Sequence, residues 1–259
     1  MIRRSRLLAV LVFISSVFIV ALPSLTHAQE RTAVRQGFSF PNDGSARILV
    51  FRPDVTVGAQ STGGLFEPRA DWTEQARGHI GTALDQALPT LNAQIVRIQE
   101  PIGSDAQLLR DYSALFGAVS QSIINYQFFV GNRLETKKRD NRENVFEWTL
   151  GEGVRTLPGA DQADYALFIT TEDHYGSTGR KLLQIFAAAA VGVGVTSGLH
   201  AGYAGLVDLQ TGNLVWINAD FAMGGDVREA DGAVRRVSQL LEDFPGTLPI
   251  SGERGGAAQ

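Results

Sequence analysis

The arrangement of hydrophobic and polar residues is most informative between Ala163 and Asp220. Tyr165 to Thr171 carries apolar residues on both alternating faces, which is typical of a strand buried in the centre of a sheet. Further along, two runs of strand-forming residues between 203 and 218 flank the turn from Gln210 to Asn213. A turn that contains glycine between two such runs predicts a β-hairpin. The rest of the chain is therefore expected to pack around this strand and this hairpin.

Three other segments follow the spacing of amphipathic helices, with apolar residues recurring every three or four positions. Each is preceded by a pair of polar residues at the spacing of a capping box: Asp71 with Glu74, Ser104 with Gln107, and Asp226 with Glu229. The last segment has the clearest pattern and ends at Pro245, so it predicts a closing amphipathic helix.

Short apolar runs from Arg47 to Phe51 and from Ala93 to Ile98 predict two further strands, and Asp54 to Ala70 is interpreted as a long loop. Strands that alternate with helices indicate an α/β fold, in which a mixed β-sheet has helices packed on its faces.

The predicted domain organisation is a single α/β domain over residues 46–246. Residues 29–45 are expected to form an N-terminal lead, and residues 247–259 a flexible tail. Charges of both signs dominate residues 132–144, which predicts a solvent-exposed excursion, either helix or loop. The conformation of residues 126–150 is left open.

The first 28 residues have the pattern of a secretory signal peptide. Three arginines precede an apolar run from Leu7 to Leu22, and Thr26 and Ala28 supply small residues before a cleavage site at Gln29. A membrane anchor is the alternative, but the run of 16 residues is shorter than the roughly 20 that a spanning helix needs. The mature chain is therefore predicted to be periplasmic or secreted.

Composition removes several classes of chemistry. The chain has no cysteine, which excludes disulfides, thiolate metal sites, a cysteine nucleophile and the lipid anchor of bacterial lipoproteins. The signal peptide holds three of the 23 basic residues and no acidic residue, so the mature chain has 20 basic and 27 acidic residues, a formal charge of −7. That charge disfavours nucleic acid as a partner. The dispersed histidines have no metal-motif spacing, and no cofactor is predicted.

The densest group of titratable residues is Glu172, Asp173, His174 and Tyr175, directly after the predicted central strand. His174 beside a carboxylate could transfer protons in a hydrolase. However, neighbours in an extended chain point to opposite faces, so Asp173 and His174 are not expected to converge. A polar loop after the strand is the favoured interpretation.

A second candidate feature is the spacing of Ala190, Gly194, Gly198 and Gly202, which fall four residues apart in the apolar segment 182–202. On one helix they would form a small-residue face for close packing or oligomerisation, including packing in a membrane. The favoured alternative is a buried helix to about Ala190, followed by a turn and a strand, because each glycine inside a soluble helix costs about 1 kcal/mol.

The strand from Ala163 to Phe168, the hairpin from Gly205 to Trp216 and the closing helix together resemble a superfamily of bacterial envelope proteins. That superfamily includes the curli-secretion lipoprotein, the lipoprotein activators of peptidoglycan synthases and the N-terminal domain of the Tol–Pal translocation protein. The resemblance implies a three-layer α/β domain without enzymatic chemistry, used for docking or assembly in the periplasm. This chain departs from it by lacking the lipid-bearing cysteine and by carrying the excursion at 132–144.

The sequence thus favours a non-catalytic periplasmic protein that binds another envelope protein or itself, through the segment Asp54 to Ala70 or the excursion near Lys137. A membrane-contacting assembly or secretion component that uses residues 182–202 is the first alternative. A hydrolase that uses Glu172 to Tyr175 is the second.

Overall fold

The computed structural model describes residues 31–128, 134, 145–177 and 198–247. Within these ranges the chain forms a mixed sheet of nine strands with helices on both faces, which confirms the predicted α/β fold. The strands are β1 Arg31–Val34, β2 Arg47–Val50, β3 Asp54–Gln60, β4 Phe66–Pro68, β5 Gln94–Val96, β6 Trp148–Thr149, β7 Tyr165–Gly176, β8 Leu199–Asp208 and β9 Asn213–Asp220. The helices are α1 Ala70–Ala87, α2 Gly103–Ile123 and α3 Ala230–Leu240.

Strand β7 is the centre of the sheet, as its apolar residues on both faces predict. It has 12 residues, of which residues 165–174 pair with antiparallel β8 on one side. On the other side two parallel strands follow each other, β2 beside residues 165–167 and β3 beside residues 170–176. The outer neighbours of these two strands differ, since β5 pairs with β2 whereas β4 pairs with β3. The sheet therefore splits where the chain passes from β2 to β3, at residues 51–53.

Two hydrophobic cores lie on the two faces of the sheet, which gives three layers. Helices α1 and α3 cover one face, where Ile80, Leu167 and Trp216 are buried. Helix α2 covers the other face, where Phe116 and Phe168 are buried. Among the described residues, none of the helices combines the length and hydrophobicity that crossing a membrane requires.

The hairpin formed by β8 and β9 matches the one predicted for residues 203–218. Its turn is fixed by Asp208, whose Oδ1 accepts hydrogen bonds at 2.8 Å from the backbone N–H groups of both Gln210 and Thr211. Gly212 has a φ of +72°, and a side chain there would collide with the backbone of Gly151. The turn therefore needs glycine at that position.

The predicted capping boxes are wrong. The residues that precede the three helices are Arg69, Ile102 and Glu229, and none of them makes a side-chain capping bond. The carboxylate of Asp226 instead binds the backbone and guanidinium of Arg228, and α3 begins only at Ala230. Local hydrogen bonds of this kind compete with helix capping, which sequence spacing alone does not reveal.

The segment from Asp54 to Ala70 is not a long loop, since β3 and β4 form a hairpin there. Its glycines favour the loop interpretation, but Gly58 lies inside β3. A Cβ at this position would come within 2.4 Å of the backbone carbonyl oxygen of Glu67 and 2.5 Å of the Phe66 ring, so the strand needs glycine there. A glycine within a strand can thus mark close packing and not a break.

The predicted N-terminal lead also belongs in part to the domain. Arg31–Val34 forms β1, which pairs antiparallel with β9, and Phe40 is buried in the core. The signal peptide, the tail beyond residue 247 and the excursion at 132–144, apart from Leu134, lie outside the described residues.

Candidate functional site

The predicted polar cluster lies within β7 and not in a loop after it, because this strand continues to Gly176. Alternation along the strand divides the four residues between the two faces of the sheet. Asp173 and Tyr175 contact the side that carries α1 and α3, through Arg236 and Trp72. Glu172 and His174 lie on the opposite face and bind each other.

Asp173 is the centre of a buried ionic cluster, and neither its side chain nor that of Arg236 has any exposed surface (0% each). Arg236 donates from Nη1 to Oδ2 of Asp173 at 2.6 Å and from Nη2 to Oδ1 at 2.8 Å. Arg236 Nη1 also donates to Oγ1 of Thr171. This bidentate geometry is the strong form of an arginine–carboxylate pair, and it links α3 to the central strand.

His200 completes this cluster from the neighbouring strand β8, directly opposite Asp173 in the sheet register. Its Nδ1 lies 2.6 Å from Oδ1 of Asp173, and its side chain is 30% exposed. An ionised carboxylate only accepts hydrogen bonds, so Nδ1 is the donor and the pair fixes the orientation of the ring. His200 was not part of the predicted cluster, because 27 residues separate it from Asp173 and only the strand register brings them together.

Tyr175 extends the cluster towards α1, because one guanidinium packs against both its ring and that of Trp72. The guanidinium of Arg228 lies 3.7 Å from the centre of the Tyr175 ring and 4.6 Å from that of Trp72. The hydroxyl of Tyr175 accepts a hydrogen bond from the backbone N–H of Val227 at 3.1 Å. Burial, followed by the charges of Asp173 and Asp226, raises the pKa of Tyr175, so this phenol stays neutral at physiological pH.

Asp226 is the anionic partner of Arg228. The hydrogen bond from the Arg228 side chain, at 2.6 Å, is the main cause that lowers the pKa of Asp226 to about 2. Asp226 is therefore a permanent carboxylate at neutral pH, and its charge is matched within the same turn.

On the other face, Nε2 of His174 lies 2.6 Å from Oε1 of Glu172, and its ring stacks on Phe66 with the ring centres 3.9 Å apart. The His174 side chain is only 14% exposed. A histidine–carboxylate pair is a component of proton-transfer sites, but it needs a substrate within hydrogen-bond reach of the ring. Here the described contacts of His174 hold it in place against the β3–β4 hairpin.

The small-residue pattern does not form one helical face over its described part. Gly202 lies in β8, where a Cβ would come within 3.0 Å of Leu240, Met223 and the carbonyl of Thr170. Gly198 precedes β8 with a φ of +90°. Ala190 and Gly194 lie outside the described residues, so a close-packing face that includes them stays a prediction.

Over the part of the chain that the structure describes, no three His, Asp or Glu side chains gather in a way that could hold a metal ion. The polar cluster around Asp173 is instead neutralised by Arg236.

No protein-family model matches this chain. No curated protein matches it either. A search of solved structures finds, among others, a PelC dodecamer from Paraburkholderia phytofirmans in space group P6, with 13% sequence identity and a TM-score of 0.34. A variant PelC dodecamer from the same organism in space group C2 has the same identity and a TM-score of 0.32. Each match covers 85% of this chain and 99% of the other. Likeness at this level carries no conclusion about the function of this chain.

Proposed function

We propose that this protein is a non-catalytic domain of the bacterial cell envelope that acts by contacting other protein chains, including copies of itself. The leader sequence supports export, and the resemblance of the strand, hairpin and closing helix to envelope docking domains supports the role. The polar residues that would serve a hydrolase bind one another. Asp173 pairs with Arg236 and His200, and His174 pairs with Glu172.

The observation that carries this proposal is the exposed edge hairpin of β3 and β4. Strand β4 pairs with β3 alone among the described strands, so its outer edge can accept another strand over the short stretch before Pro68, which has no N–H to donate. At the tip of the hairpin, the side chain of Leu65 is 74% exposed. An edge strand beside a displayed leucine offers both the backbone hydrogen bonds and the apolar contact that strand addition uses.

The test is the association state of the mature chain, residues 29–259, measured by sedimentation equilibrium. Self-association through the edge hairpin predicts a concentration-dependent mass that Leu65→Asp lowers. Ile102→Asp is the matched control, because Ile102 is also an exposed apolar residue (85%) but lies away from the hairpin, before α2. An oligomer that Leu65→Asp leaves intact, or a strict monomer that captures no envelope protein through this hairpin in cross-linking, would contradict the proposal.

The membrane-contacting alternative depends on residues 182–202, most of which lie outside the described residues. Fractionation separates it from the proposed role. A mature form that stays with membranes after carbonate extraction would favour the membrane assembly, whereas a released form would favour the edge-hairpin role.

A further inference from the structure

A cavity of about 400 Å³ opens on the side of the molecule where the sheet splits between β2 and β3. It is bordered by the link between these strands, by the segment that follows β5, and by one face of α1. The neighbouring strands β2 and β5 run parallel and both end at this cavity. Its volume lies in the range of small-molecule sites, and the carboxyl ends of parallel strands are where α/β folds bind ligands.

Three arginines from three separate segments line this cavity: Arg52, Arg77 and Arg97. We name it the arginine cleft. Each guanidinium is paired with a carboxylate. Arg52 Nη1 lies 3.0 Å from Glu100 Oε1, Arg77 Nη1 lies 2.8 Å from Glu74 Oε2, and Arg97 binds Asp85.

The arginines are less exposed than their partners in all three pairs. The exposed fractions of the arginine side chains are 47%, 28% and 41%, against 69%, 72% and 68% for the respective carboxylates. The carboxylate is thus the more solvent-exposed partner in each pair. Asp85 and Glu100 line the cavity together with the three arginines, whereas Glu74 is not among the residues that line it. Exposed ion pairs of this kind contribute roughly 0–1 kcal/mol, so an incoming anion could replace one of these carboxylates at little cost.

Glu74 indicates where such an anion would bind. Its Oε2 accepts a hydrogen bond from Nη1 of Arg77 at 2.8 Å, and Nη2 of Arg52 lies 3.9 Å from the same oxygen, an ion-pair contact that is too long for a hydrogen bond. Arg77 is held from behind, since its Nη2 donates to the backbone carbonyl of Val55 at 3.4 Å. Two guanidiniums positioned around one oxyanion are the arrangement that recognises carboxylate and phosphate groups.

Helix α1 leaves the cleft open. Gly78 and Gly81 lie three residues apart, hence on one face, and both line the cavity. A Cβ added at either position would meet no atom within 4 Å, so packing within the described residues does not require glycine there. Glycine inside a helix is destabilising, and two glycines facing an unfilled cleft are explained if the space is needed for a ligand.

We infer that the arginine cleft binds a small ligand that carries carboxylate or phosphate groups, with one of its oxyanions in the place that Glu74 occupies between Arg52 and Arg77. This site is separate from the edge hairpin, so a test of anion binding and a test of the proposed association can fail independently of each other.

The experiment is a titration of the mature chain with succinate and, separately, with inorganic phosphate, followed by NMR of the backbone amides of Gly78 and Gly81. Saturable chemical-shift changes at these amides are expected with at least one anion. The anion that binds more tightly identifies the class of oxyanion that the site prefers. Dimethyl succinate is the neutral control and should produce none. An absence of saturable shifts with both anions in the millimolar range would overturn the inference.

Variants separate a ligand site from a merely structural role. Arg77→Gln should weaken binding about tenfold, the factor that corresponds to one hydrogen bond to a charged group. Glu74→Gln should strengthen binding, because this substitution removes the competing carboxylate, and a structural ion pair would not respond in this way.

Arg110→Gln, which removes an exposed arginine bound to Gln107 on α2, is the matched control and should leave binding unchanged. Equal affinities in Arg77→Gln and Arg110→Gln, with both folded by circular dichroism, would also overturn the inference.

Discussion

The molecule contains two groups of arginine–carboxylate pairs in opposite settings. In the cluster around Asp173 on β7, the Arg236 and Asp173 side chains are fully buried. In the arginine cleft, the side chains of Arg52, Arg77 and Arg97 are 28–47% exposed. The chemistry of the pairs is the same, but their surroundings differ.

That difference decides what each group can do. A buried charge is costly to leave without its partner, so the pair of Asp173 and Arg236 cannot be opened without loss of stability. An exposed pair exchanges partners easily, because water and salt compensate for the separation. The buried cluster is therefore suited to hold α3 on the sheet, and the exposed pairs are suited to bind an external anion.

The sharpest test of this contrast is Arg236→Met, which leaves Asp173 buried with only His200 and Thr171 as partners. We expect the free energy of unfolding to fall by about 3–5 kcal/mol, the usual cost of breaking a buried pair. Urea unfolding measures it.

The double variant Arg236→Met/Asp173→Leu is the control, since it removes both charges and should recover much of the lost stability. Arg236 Nε has no hydrogen-bond partner among the described residues, which adds to the expected recovery. A loss below about 1 kcal/mol for the single variant would mean that the buried pair resembles the exposed ones.

The next effect has the opposite sign and belongs to the arginine cleft. Gly78→Ala and Gly81→Ala should each raise the free energy of unfolding by up to about 1 kcal/mol, because alanine is the better helix former and has room at both positions. Thermal unfolding measures the gain. Gly58→Ala in β3 is the contrasting control, because its Cβ would lie 2.5 Å from the Phe66 ring and should destabilise the protein.

Sequence patterns predicted the parts of the fold that depend on local repetition. Apolar residues on both faces of Tyr165 to Thr171 predicted the central strand, and the glycine turn after Asp208 predicted the hairpin. The same kind of reasoning failed for Asp54 to Ala70. There the glycine at position 58 is required by the backbone carbonyl of Glu67 and the ring of Phe66 in the next strand, and no local pattern contains these contacts.

The candidate site was predictable only in part, for the same reason. Alternation along a strand correctly separated Asp173 from His174, although their place inside β7 was missed. Arg236 and His200 lie 63 and 27 residues from Asp173, and only sheet register and helix docking bring them together. The arginine cleft was missed entirely, because its cations come from three segments that the split in the sheet places side by side.

A third prediction concerns Asp226, which is intermediate between the two groups, since its side chain is 36% exposed. The bond from Arg228 lowers its pKa to about 2 from the ordinary value of 3.8. Its stabilising contribution is therefore complete only above about pH 5, one unit above the ordinary pKa, and is lost progressively as the pH falls through 3.8 to about 2. After allowance for solvent screening we expect this contribution to be at most about 1 kcal/mol.

Urea unfolding between pH 2 and pH 5 tests it. Asp226→Asn should reduce the slope of stability against pH over that acid range, with a modest loss at neutral pH. Asp85→Asn is the matched control, because Asp85 forms an exposed pair in the arginine cleft. An unchanged slope in Asp226→Asn would show that Arg228 does not hold the carboxylate in the folded protein.

The smallest effect is expected for the exposed pair of Arg52 and Glu100. Arg52→Gln should lower the free energy of unfolding by less than about 1 kcal/mol, since both side chains are widely exposed and water replaces the lost contact. A double-mutant cycle with Glu100→Gln measures their coupling, and 0.5 M salt should remove most of it, because the screening length then falls to a few ångströms, well under the roughly 10 Å at 0.1 M. A coupling as large as the loss of stability expected for Arg236→Met would make this pair structural. The Arg52 guanidinium would then be held too firmly by Glu100 to be available to an external oxyanion.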